Sequence, residues 1–463
     1  MSEVAEPDFD VIVVGAGIAG CVTAYQLAQQ GRSVLLIERG EAPGAKNLSG
    51  GVLYSRGIQE VFPGFLDEAP VERRITRNCV TFLNATSSVG LDYQDARLAD
   101  PVNAVTVLRA KLDPWLAAKC EEAGVTVMPG VRVDRVLTED GPATNAGVPA
   151  ASAGGRAASW HANGTNGTTG RQVVGVQAGE DELRAHVVVA ADGVNSFLAR
   201  DAGLRPKDPL NHLAVGVKSV VSLPRETIEA RFNLTGDEGA AIAVVGDCTE
   251  GVGGGGFLYT NTDSVSVGVV VRLDDLTAQK KVVTDIFDHF LAHRFIAPYL
   301  EGGELAEYGC HLVAEGGLKM IGEITMDGMV VVGDAAGLTL NTGLTVRGMD
   351  LAVASAIAAA EGIGAALENK DTSKAGLAGY RERFFASYAG QDMKTYAKAP
   401  AFLEQERMYK QYGELFADVL YGAFSLDTRP RRHLLSVARR ALAHSPLKMR
   451  HLVSDGIAGG RAL

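Results

Sequence analysis

The sequence predicts an α/β protein with three parts: a parallel sheet, a mostly antiparallel second sheet and a helical C-terminal region. Short apolar runs at 11–14, 187–191 and 329–332 each lead into a glycine-containing turn, which is typical of buried parallel strands. Alternating strands without intervening helices follow from about 214 to 271 and indicate a mostly antiparallel second domain. The region from 374 onward has mainly helical patterning.

The turn after the first run has the pattern of a dinucleotide-binding loop. Gly15 would form the tight turn, Gly17 would let phosphates approach the backbone, and Gly20 would let helix and strand pack closely. The next apolar run, 34–37, leads to Glu38, an acid placed where a ribose hydroxyl would bind. The glycine motif alone is weak evidence for a dinucleotide site. Its position between a strand and a helix, together with an acid at the end of the next strand, predicts such a site.

Two glycine-rich stretches each allow two interpretations. Residues 40–53 are either a surface loop or a loop wrapped around a cofactor, because paired glycines permit close backbone approach. Residues 251–256 are either a flexible hairpin or a place where a flat ligand lies against the backbone. Residues 143–170 are almost wholly Ala, Gly, Ser, Thr, Asn and Pro, so we expect a disordered insertion there.

Composition excludes several classes of protein. A chain of 463 residues should form two or three structural units, and its net charge of −11 argues against nucleic-acid binding. The five cysteines are scattered without a CxxC motif, so they predict neither a disulfide framework nor a metal site, and they suit a reducing cytosol. No signal segment or long uncharged apolar run predicts a membrane span.

The C-terminal region is basic although the whole chain is acidic. Between 429 and 454 there is no acid, and leucines are interleaved with the basic residues. Such a segment could rest on anionic lipid, dock a partner subunit or be a solvated helix surface. Its basic residues are Arg429, Arg431, Arg432, Arg439, Arg440, Lys448 and Arg450.

The three turns, 15–20, 192–193 and 333–334, in this order resemble the Rossmann-like FAD-binding fold of the aromatic-hydroxylase and geranylgeranyl-reductase superfamily. The resemblance implies that FAD binds with Asp334 on its ribityl chain and Arg109 over its pyrophosphate. The simpler alternatives are a helix N-cap and a surface arginine, respectively. The cofactor-binding residues expected on all these grounds are Gly15, Gly17, Ala19, Gly20, Glu38, Arg39, Lys46, Ser49, Gly50, Gly51, Arg109, Val133, Asp192, Gly193, Gly333, Asp334, Gly343, Thr345 and Val346.

Five further stretches, 44–54, 107–111, 231–234, 255–261 and 345–351, resemble the FixC-type branch of the electron-transfer flavoprotein:quinone oxidoreductase family. The likeness covers nearly the whole chain outside the 143–170 insertion. It implies a flavoprotein that takes electrons from an electron-transfer flavoprotein and passes them towards membrane quinone, a role that flavin suits. Candidates for the quinone-side wall, from the resemblance and from aromatic placement, are Gly255, Gly256, Phe257 and Tyr259.

The resemblance also implies a partner and a place in the cell. No cysteine follows Cys310, so an iron–sulfur cluster would have to come from a separate ferredoxin-like subunit of the FixX type. We expect a cytoplasmic protein, with peripheral contact to the inner face of the cell membrane left open. No catalytic residue is expected, because electron transfer needs no particular one.

The expected domain division follows from the same resemblance. The FAD-binding domain would combine 1–75, 105–200 and 320–370, and the β-rich quinone or substrate side would combine 76–104 and 201–319, with a helical region at 371–463. Three other functions stay open: a geranylgeranyl-reductase-type enzyme that reduces prenyl double bonds, an FAD monooxygenase, and an FAD-stabilised scaffold that only binds the electron-transfer flavoprotein.

Overall fold

The computed structural model describes residues 6–47, 50–140 and 170–463. The insertion expected at 143–170 lies outside the described residues except for Gly170, and Ser49 lies outside them too. The strands of the described chain are β1 (Phe9–Val14), β2 (Val34–Glu38), β3 (Gly51–Tyr54), β4 (Val71–Asn84), β5 (Ser87–Gln94), β6 (Ala104–Val107), β7 (Thr126–Pro129), β8 (Arg135–Asp140), β9 (Arg171–Ala178), β10 (Asp181–Ala190), β11 (Leu213–Ser222), β12 (Glu238–Gly246), β13 (Gly254–Thr260), β14 (Ser264–Arg272), β15 (Glu304–Ala314), β16 (Thr325–Met326), β17 (Met329–Val331), β18 (Leu340–Asn341) and β19 (Val346–Arg347). The α-helices are α1 (Ile18–Gln29), α2 (Arg56–Val61), α3 (Phe65–Glu68), α4 (Arg109–Glu122), α5 (Phe197–Asp201), α6 (Arg225–Phe232), α7 (Leu273–Gln279), α8 (Val283–Ala292), α9 (Ala297–Leu300), α10 (Met349–Glu368), α11 (Ala378–Ala386), α12 (Tyr388–Thr395), α13 (Ala399–Leu403), α14 (Glu406–Lys410), α15 (Tyr412–Phe424), α16 (Leu434–His444) and α17 (Met449–Ala462).

The first sheet has a parallel centre in the order β17, β10, β1, β2 and β7. Val14 pairs with Ala190, and Ala190 with Val331, so β1, β10 and β17 end at the same edge. The three turns predicted from the sequence therefore lie side by side. β16 adds antiparallel to β17, and β9 connects β10 to β8.

Helices α1, α4 and α10 supply much of the core that packs against this sheet. The central strands are apolar at nearly every position because both faces are covered, and residues 11–13 of β1 have no exposed surface. α10 is long and apolar enough to cross a membrane by length and composition, yet 78% of its most apolar window is buried inside the protein.

The second sheet is mostly antiparallel, as predicted, in the order β15, β11, β14, β13, β12, β4, β6 and β3, with β5 paired to β4. The exception is the parallel pair β12 and β4. The strands between 71 and 107 carry no clear sequence pattern because β4 holds a buried cation. Arg73 is 2% exposed, and its Nε donates to the Asn261 carbonyl at 2.7 Å.

The chain passes between the two sheets more than once. β3 and β6 pair with each other in the second sheet, although all of their residues except Ala104 fall in segments assigned above to the FAD-binding domain. The domain boundaries stay a prediction. The predicted helical C-terminal region is confirmed as α11–α17. Its last helix, α17, is held partly by Arg407 of α14, whose Nη2 and Nε donate to the Asp455 carboxylate at 2.7 and 2.8 Å.

Candidate functional site

A cavity of about 820 Å³ extends from the carboxyl edge of the first sheet to the second sheet and is lined by residues of both. Its volume lies in the range of about 300–1,000 Å³ that is usual for small-molecule and cofactor sites. It contains all three turns predicted from the sequence as well as the wall of β13. The site is therefore formed where the chain's two sheets meet.

The first turn requires its glycines because protein backbone lies against them. Gly15 has a φ of +107°, and a Cβ there would lie 2.3 Å from the Ala191 carbonyl oxygen. A Cβ on Gly20 would lie 1.9 Å from the Gly15 carbonyl oxygen. Gly17 instead lines the cavity at the start of α1, where free backbone N–H groups favour an anion.

Glu38, at the tip of β2, fixes this turn from the other side. Its Oε2 accepts from the Ala16 N–H at 3.0 Å, and its Oε1 accepts from the Gly40 N–H at 2.7 Å. Glu38 also lines the cavity. Because each carboxylate oxygen has a further lone pair, Glu38 can still accept a hydrogen bond from a ribose hydroxyl.

Arg109 begins α4 and is held as a rigid cation. Its Nε and Nη2 donate to the two oxygens of Asp113 at 2.6 and 2.8 Å. Asp113 has no exposed surface and also accepts a hydrogen bond from Asn47. Burial acts to lower the pKa of Arg109, but the Asp113 carboxylate outweighs burial and the pKa is raised overall. Arg109 is thus a cavity-lining cation with only 21% of its side chain exposed, rather than an ordinary surface arginine.

Two carboxylates follow β10 and β17. Asp192 Oδ2 accepts from the Leu198 N–H at 3.0 Å, while its Oδ1 is buried without a hydrogen-bond partner among the described residues. Asp334 is exposed into the cavity and is the second residue of the short 3-10 helix 333–336, whose N-cap position is Val332, so Asp334 is not the N-cap. Burial raises the pKa of both carboxyl groups, and Arg109 opposes this rise at Asp334. Both positions leave acceptor capacity for ligand hydroxyl groups.

The opposite wall is aromatic and carries a lysine. Phe257 and Tyr259 stack with ring centroids 4.7 Å apart and planes 19° apart, and Lys218 Nζ lies 6.0 Å from the Phe257 ring centroid. The ring lies over Gly268 of β14, where a Cβ would come within 2.5 Å of it. Burial, together with the Arg109 charge, lowers the pKa of Lys218 to about 8.

The glycine-rich stretch 251–256 resolves into a turn and the first half of β13. A Cβ on Gly255 would lie 2.7 Å from the Val244 carbonyl oxygen, and a Cβ on Gly256 would lie 2.8 Å from the Phe290 ring. Packing within the protein therefore accounts for these two glycines, although both also line the cavity.

Most of the predicted site residues come together in this cavity. Three predicted residues do not line the cavity: Gly20, Gly333 and Thr345. Gly20 lies beneath the first turn, and Gly333 packs against Ala19. The Thr345 N–H donates a hydrogen bond to the Thr342 hydroxyl group. The predicted residues that do line it are Gly15, Gly17, Ala19, Glu38, Arg39, Lys46, Gly50, Gly51, Arg109, Val133, Asp192, Gly193, Asp334, Gly343, Val346, Gly255, Gly256, Phe257 and Tyr259. Their individual roles towards a ligand stay predictions.

Sequence reasoning missed the charged residues that the second sheet brings to the cavity. Lys218 is the one charged residue in the mostly apolar strand β11, which was the available signal. Arg272 is the last residue of β14, and Glu315 directly follows β15. Only the folded sheet shows that both residues line the same cavity. The missed lining residues with ionisable side chains include Lys218, Arg272, His311, Glu315, Glu404 and Tyr409.

These features fit FAD: a glycine turn at a helix N-terminus for the pyrophosphate, a fixed cation beside it, and carboxylates with free acceptors at neighbouring strand ends. A family model described as FAD dependent oxidoreductase matches residues 10–74. The Escherichia coli K12 protein named probable electron transfer flavoprotein-quinone oxidoreductase YdiS is 42% identical over 99% of this chain and 100% of its own. The chain belongs to the electron transfer flavoprotein-quinone oxidoreductase family.

Other relatives agree with this family. Protein FixC of Escherichia coli K12 is 41% identical over 91% of this chain and 92% of its own, so the FixC-type resemblance is confirmed. The protein is an FAD-dependent electron-transfer oxidoreductase.

Solved structures share the fold. A geranylgeranyl bacteriochlorophyll reductase-like protein of Thermoplasma acidophilum has a TM-score of 0.67 and 19% identity over 96% of this chain and 98% of its own. The myxobacterial chondrochloren halogenase CndH has a TM-score of 0.59 and 19% identity over 98% of this chain and 90% of its own. At such low identity these two neighbours bear on architecture alone.

Proposed function

We propose that this protein accepts electrons from an electron-transfer flavoprotein and passes them to a membrane quinone, with a ferredoxin-like subunit of the FixX type as a further partner. The observation that carries the proposal is the 42% identity, along 99% of the chain, to a protein named for that electron-transfer reaction. The 41% identity to Protein FixC supports the same branch of the family.

The residues of the cavity suit this role. FAD, when bound, supplies the capacity to take and release electrons singly or in pairs. Arg109 and the N-terminus of α1 offset the phosphate charge, while Glu38 and Asp334 offer acceptors to hydroxyl groups. The stacked pair Phe257 and Tyr259 provides a flat apolar wall against which a planar quinone ring could lie.

The metal ligands that this chain offers support the proposal of a ferredoxin-like subunit. No group of three or more His, Cys, Asp or Glu side chains in the described ranges could hold a metal ion. An iron–sulfur cluster needs several cysteine thiolates, so a separate subunit would have to bring them.

The C-terminal helices support peripheral contact with an anionic membrane. Met449, Val453 and Ile457, at i, i+4 and i+8 on α17, are 58, 54 and 52% exposed and share one face. Exposed Arg440 and Arg450 lie on α16 and α17. An apolar stripe among basic side chains suits an anionic lipid surface on the cytoplasmic side of the membrane.

Two measurements test the proposal. Anaerobic mixing of the FAD-loaded protein with a reduced electron-transfer flavoprotein should bleach its flavin absorbance, and ubiquinone-1 should then restore it. If the flavin absorbance does not bleach, the protein is a scaffold or another kind of flavoenzyme. Rapid NAD(P)H oxidation stimulated by an aromatic compound would favour a monooxygenase.

Membrane contact is tested separately by sedimentation with vesicles. The wild type should bind vesicles containing phosphatidylglycerol, and the Val453→Glu variant should bind them less. Equal binding of both proteins, or no binding of the wild type, contradicts the assignment of this face to the membrane.

A further inference from the structure

Lys218 and the aromatic wall lie in one row of residues that crosses three strands of the second sheet. In this row Lys218 of β11 pairs with Gly268 of β14, and Gly268 pairs with Phe257 of β13. Residues that pair across neighbouring strands direct their side chains to the same face of the sheet. Because Gly268 is a glycine, β14 places no side chain between the lysine and the aromatic ring in this row.

The distances agree with this arrangement. Lys218 Nζ lies 6.0 Å from the centroid of the Phe257 ring. Tyr259, two residues further along β13, stacks on Phe257 with ring centroids 4.7 Å apart. All three side chains line the cavity. The ammonium group of Lys218 is therefore beside the aromatic wall and faces the same space.

The opposite face of β11 belongs to the core of the second sheet. Val217 has no exposed surface, and Ser219 is buried as well. Lys218 stands between them in the strand, is half-buried and lines the cavity. Its partner in β15 is Gly309, a second glycine beside it. The alternation of the strand thus directs the lysine into the cavity, with a glycine on each side.

The charge of Lys218 connects the aromatic wall with the cofactor end of the cavity. The lysine interacts electrostatically with Arg109 and Asp334, which both line that end. Burial and the Arg109 charge lower its pKa to about 8 while Asp334 opposes them, so the side chain is mostly protonated at pH 7. An ammonium group has three N–H donors, so Lys218 can donate to a ligand in addition to its contacts within the protein.

We propose that Lys218 binds the quinone acceptor by donating a hydrogen bond to one of its ring carbonyl oxygens while the ring lies against Phe257 and Tyr259. This inference rests on the proposed function. Conversion of a quinone to a quinol takes two electrons from the reduced flavoprotein and two protons from water, and Lys218 supplies neither. Its positive charge offsets the negative charge that the carbonyl oxygen gains as electrons arrive. The same hydrogen bond favours quinones over apolar rings of similar size.

The experiment compares two ligands of similar shape, only one of which has carbonyl oxygens. Ubiquinone-1 is compared with the dimethyl ether of ubiquinol-1, in which methoxy groups replace both carbonyl oxygens. Binding of each to the oxidised, FAD-loaded protein is measured by isothermal titration calorimetry, so no electron is transferred. Lys218→Met should weaken ubiquinone-1 binding by about 10- to 100-fold, change binding of the dimethyl ether by less than about 2-fold, and leave the FAD content unchanged.

Three variants complete the design. Lys218→Arg keeps the charge and the donors and should restore part of the ubiquinone-1 affinity. Phe257→Ala removes part of the wall and should weaken both ligands alike. Lys207→Met removes an exposed lysine that does not line the cavity, so it is the matched control and should bind both ligands as the wild type does.

The outcomes separate this inference from the proposed function. An unchanged ubiquinone-1 affinity in Lys218→Met overturns the hydrogen bond and leaves the proposed function intact. Equal weakening of both ligands overturns it in favour of a role in shaping the wall, and loss of FAD overturns it in favour of a role in cofactor binding. Failure of the wild type to bind ubiquinone-1 also overturns it. If ubiquinone-1 does not reoxidise the reduced wild type, the proposed function is refuted as well.

Discussion

Replacing Gly268 with alanine should move the aromatic wall of the cavity. A Cβ at this position would lie 2.5 Å from Phe257 Cζ and 2.7 Å from the Val217 carbonyl oxygen. Carbon atoms in contact prefer about 3.5–4.0 Å, so the ring must retreat by about 1 Å. Overpacking of this kind costs about 1–3 kcal/mol of unfolding free energy.

The neighbouring strand provides a matched control. A Cβ on Gly216 of β11 would meet its nearest neighbours, the methyl groups of Val270 and Val313, at 3.5 Å, which is ordinary contact. Gly216→Ala should therefore be neutral or stabilising by about 0.4–1 kcal/mol, since it restricts the unfolded chain. Guanidinium unfolding followed by circular dichroism measures both variants.

A double-mutant cycle identifies the ring as the cause. In a Phe257→Ala background the ring is gone and only the contact with the Val217 carbonyl remains, so Gly268→Ala should cost less by at least about 1 kcal/mol. A steric clash with the ring is refuted if Gly268→Ala costs the same unfolding free energy with and without the ring, or if it costs no more than Gly216→Ala.

Three other substitutions test the site and its supports. Arg109→Ala leaves the buried Asp113 carboxylate without its cation, so it should lose about 3–5 kcal/mol of stability and most bound FAD, whereas Arg109→Lys keeps part of both; melting and the visible flavin spectrum measure this. Glu38→Ala removes acceptors for two backbone N–H groups and should weaken FAD binding, measured by titration of the apoprotein, while Glu38→Gln loses less. Asp455→Asn should weaken attachment of α17 by about 1–3 kcal/mol, seen as faster proteolysis of the C-terminal helices. Hydrogen bonding from Arg407 lowers the pKa of Asp455 to about 2, below its ordinary 3.8, so the Asp455→Asn effect should be constant from about pH 5 to about pH 8 and disappear only as the pH falls towards 2.

The parallel strands could be predicted because burial on both faces demands apolar side chains at every position. The runs at 11–14, 187–191 and 329–332 have that composition, and each is followed by the polar or glycine residues that a ligand-facing turn needs. The parallel pairing that brings their ends together then follows from the way such strands are connected.

The strands between 71 and 107 could not be predicted because their polar residues are satisfied by distant parts of the chain. From the sequence alone, Arg73 would be expected at the surface. In the structure it is buried and donates hydrogen bonds to the carbonyl oxygens of Asn261 and Glu238. The parallel pairing of β12 with β4 likewise leaves no local trace in either strand.

The candidate site also combines residues that the sequence predicts with residues that it does not. Arg109 could be placed in the site from the sequence, but not the buried Asp113 that fixes its guanidinium group. Lys218 and Glu315 reach the cavity only because β11 and β15 pair with each other in the second sheet. A sequence carries strong signals for the backbone turns and weak ones for side chains that meet across a sheet.

The interleaved path of the chain affects how the protein must be made. β1 pairs with β10 and β10 pairs with β17, so the first sheet cannot close until the ribosome has released the segment around Val331. Such non-local pairing slows folding and leaves apolar strands uncovered during synthesis. We therefore expect that added chaperone increases the yield of native protein, and that neither sheet can be produced alone by cutting the chain once.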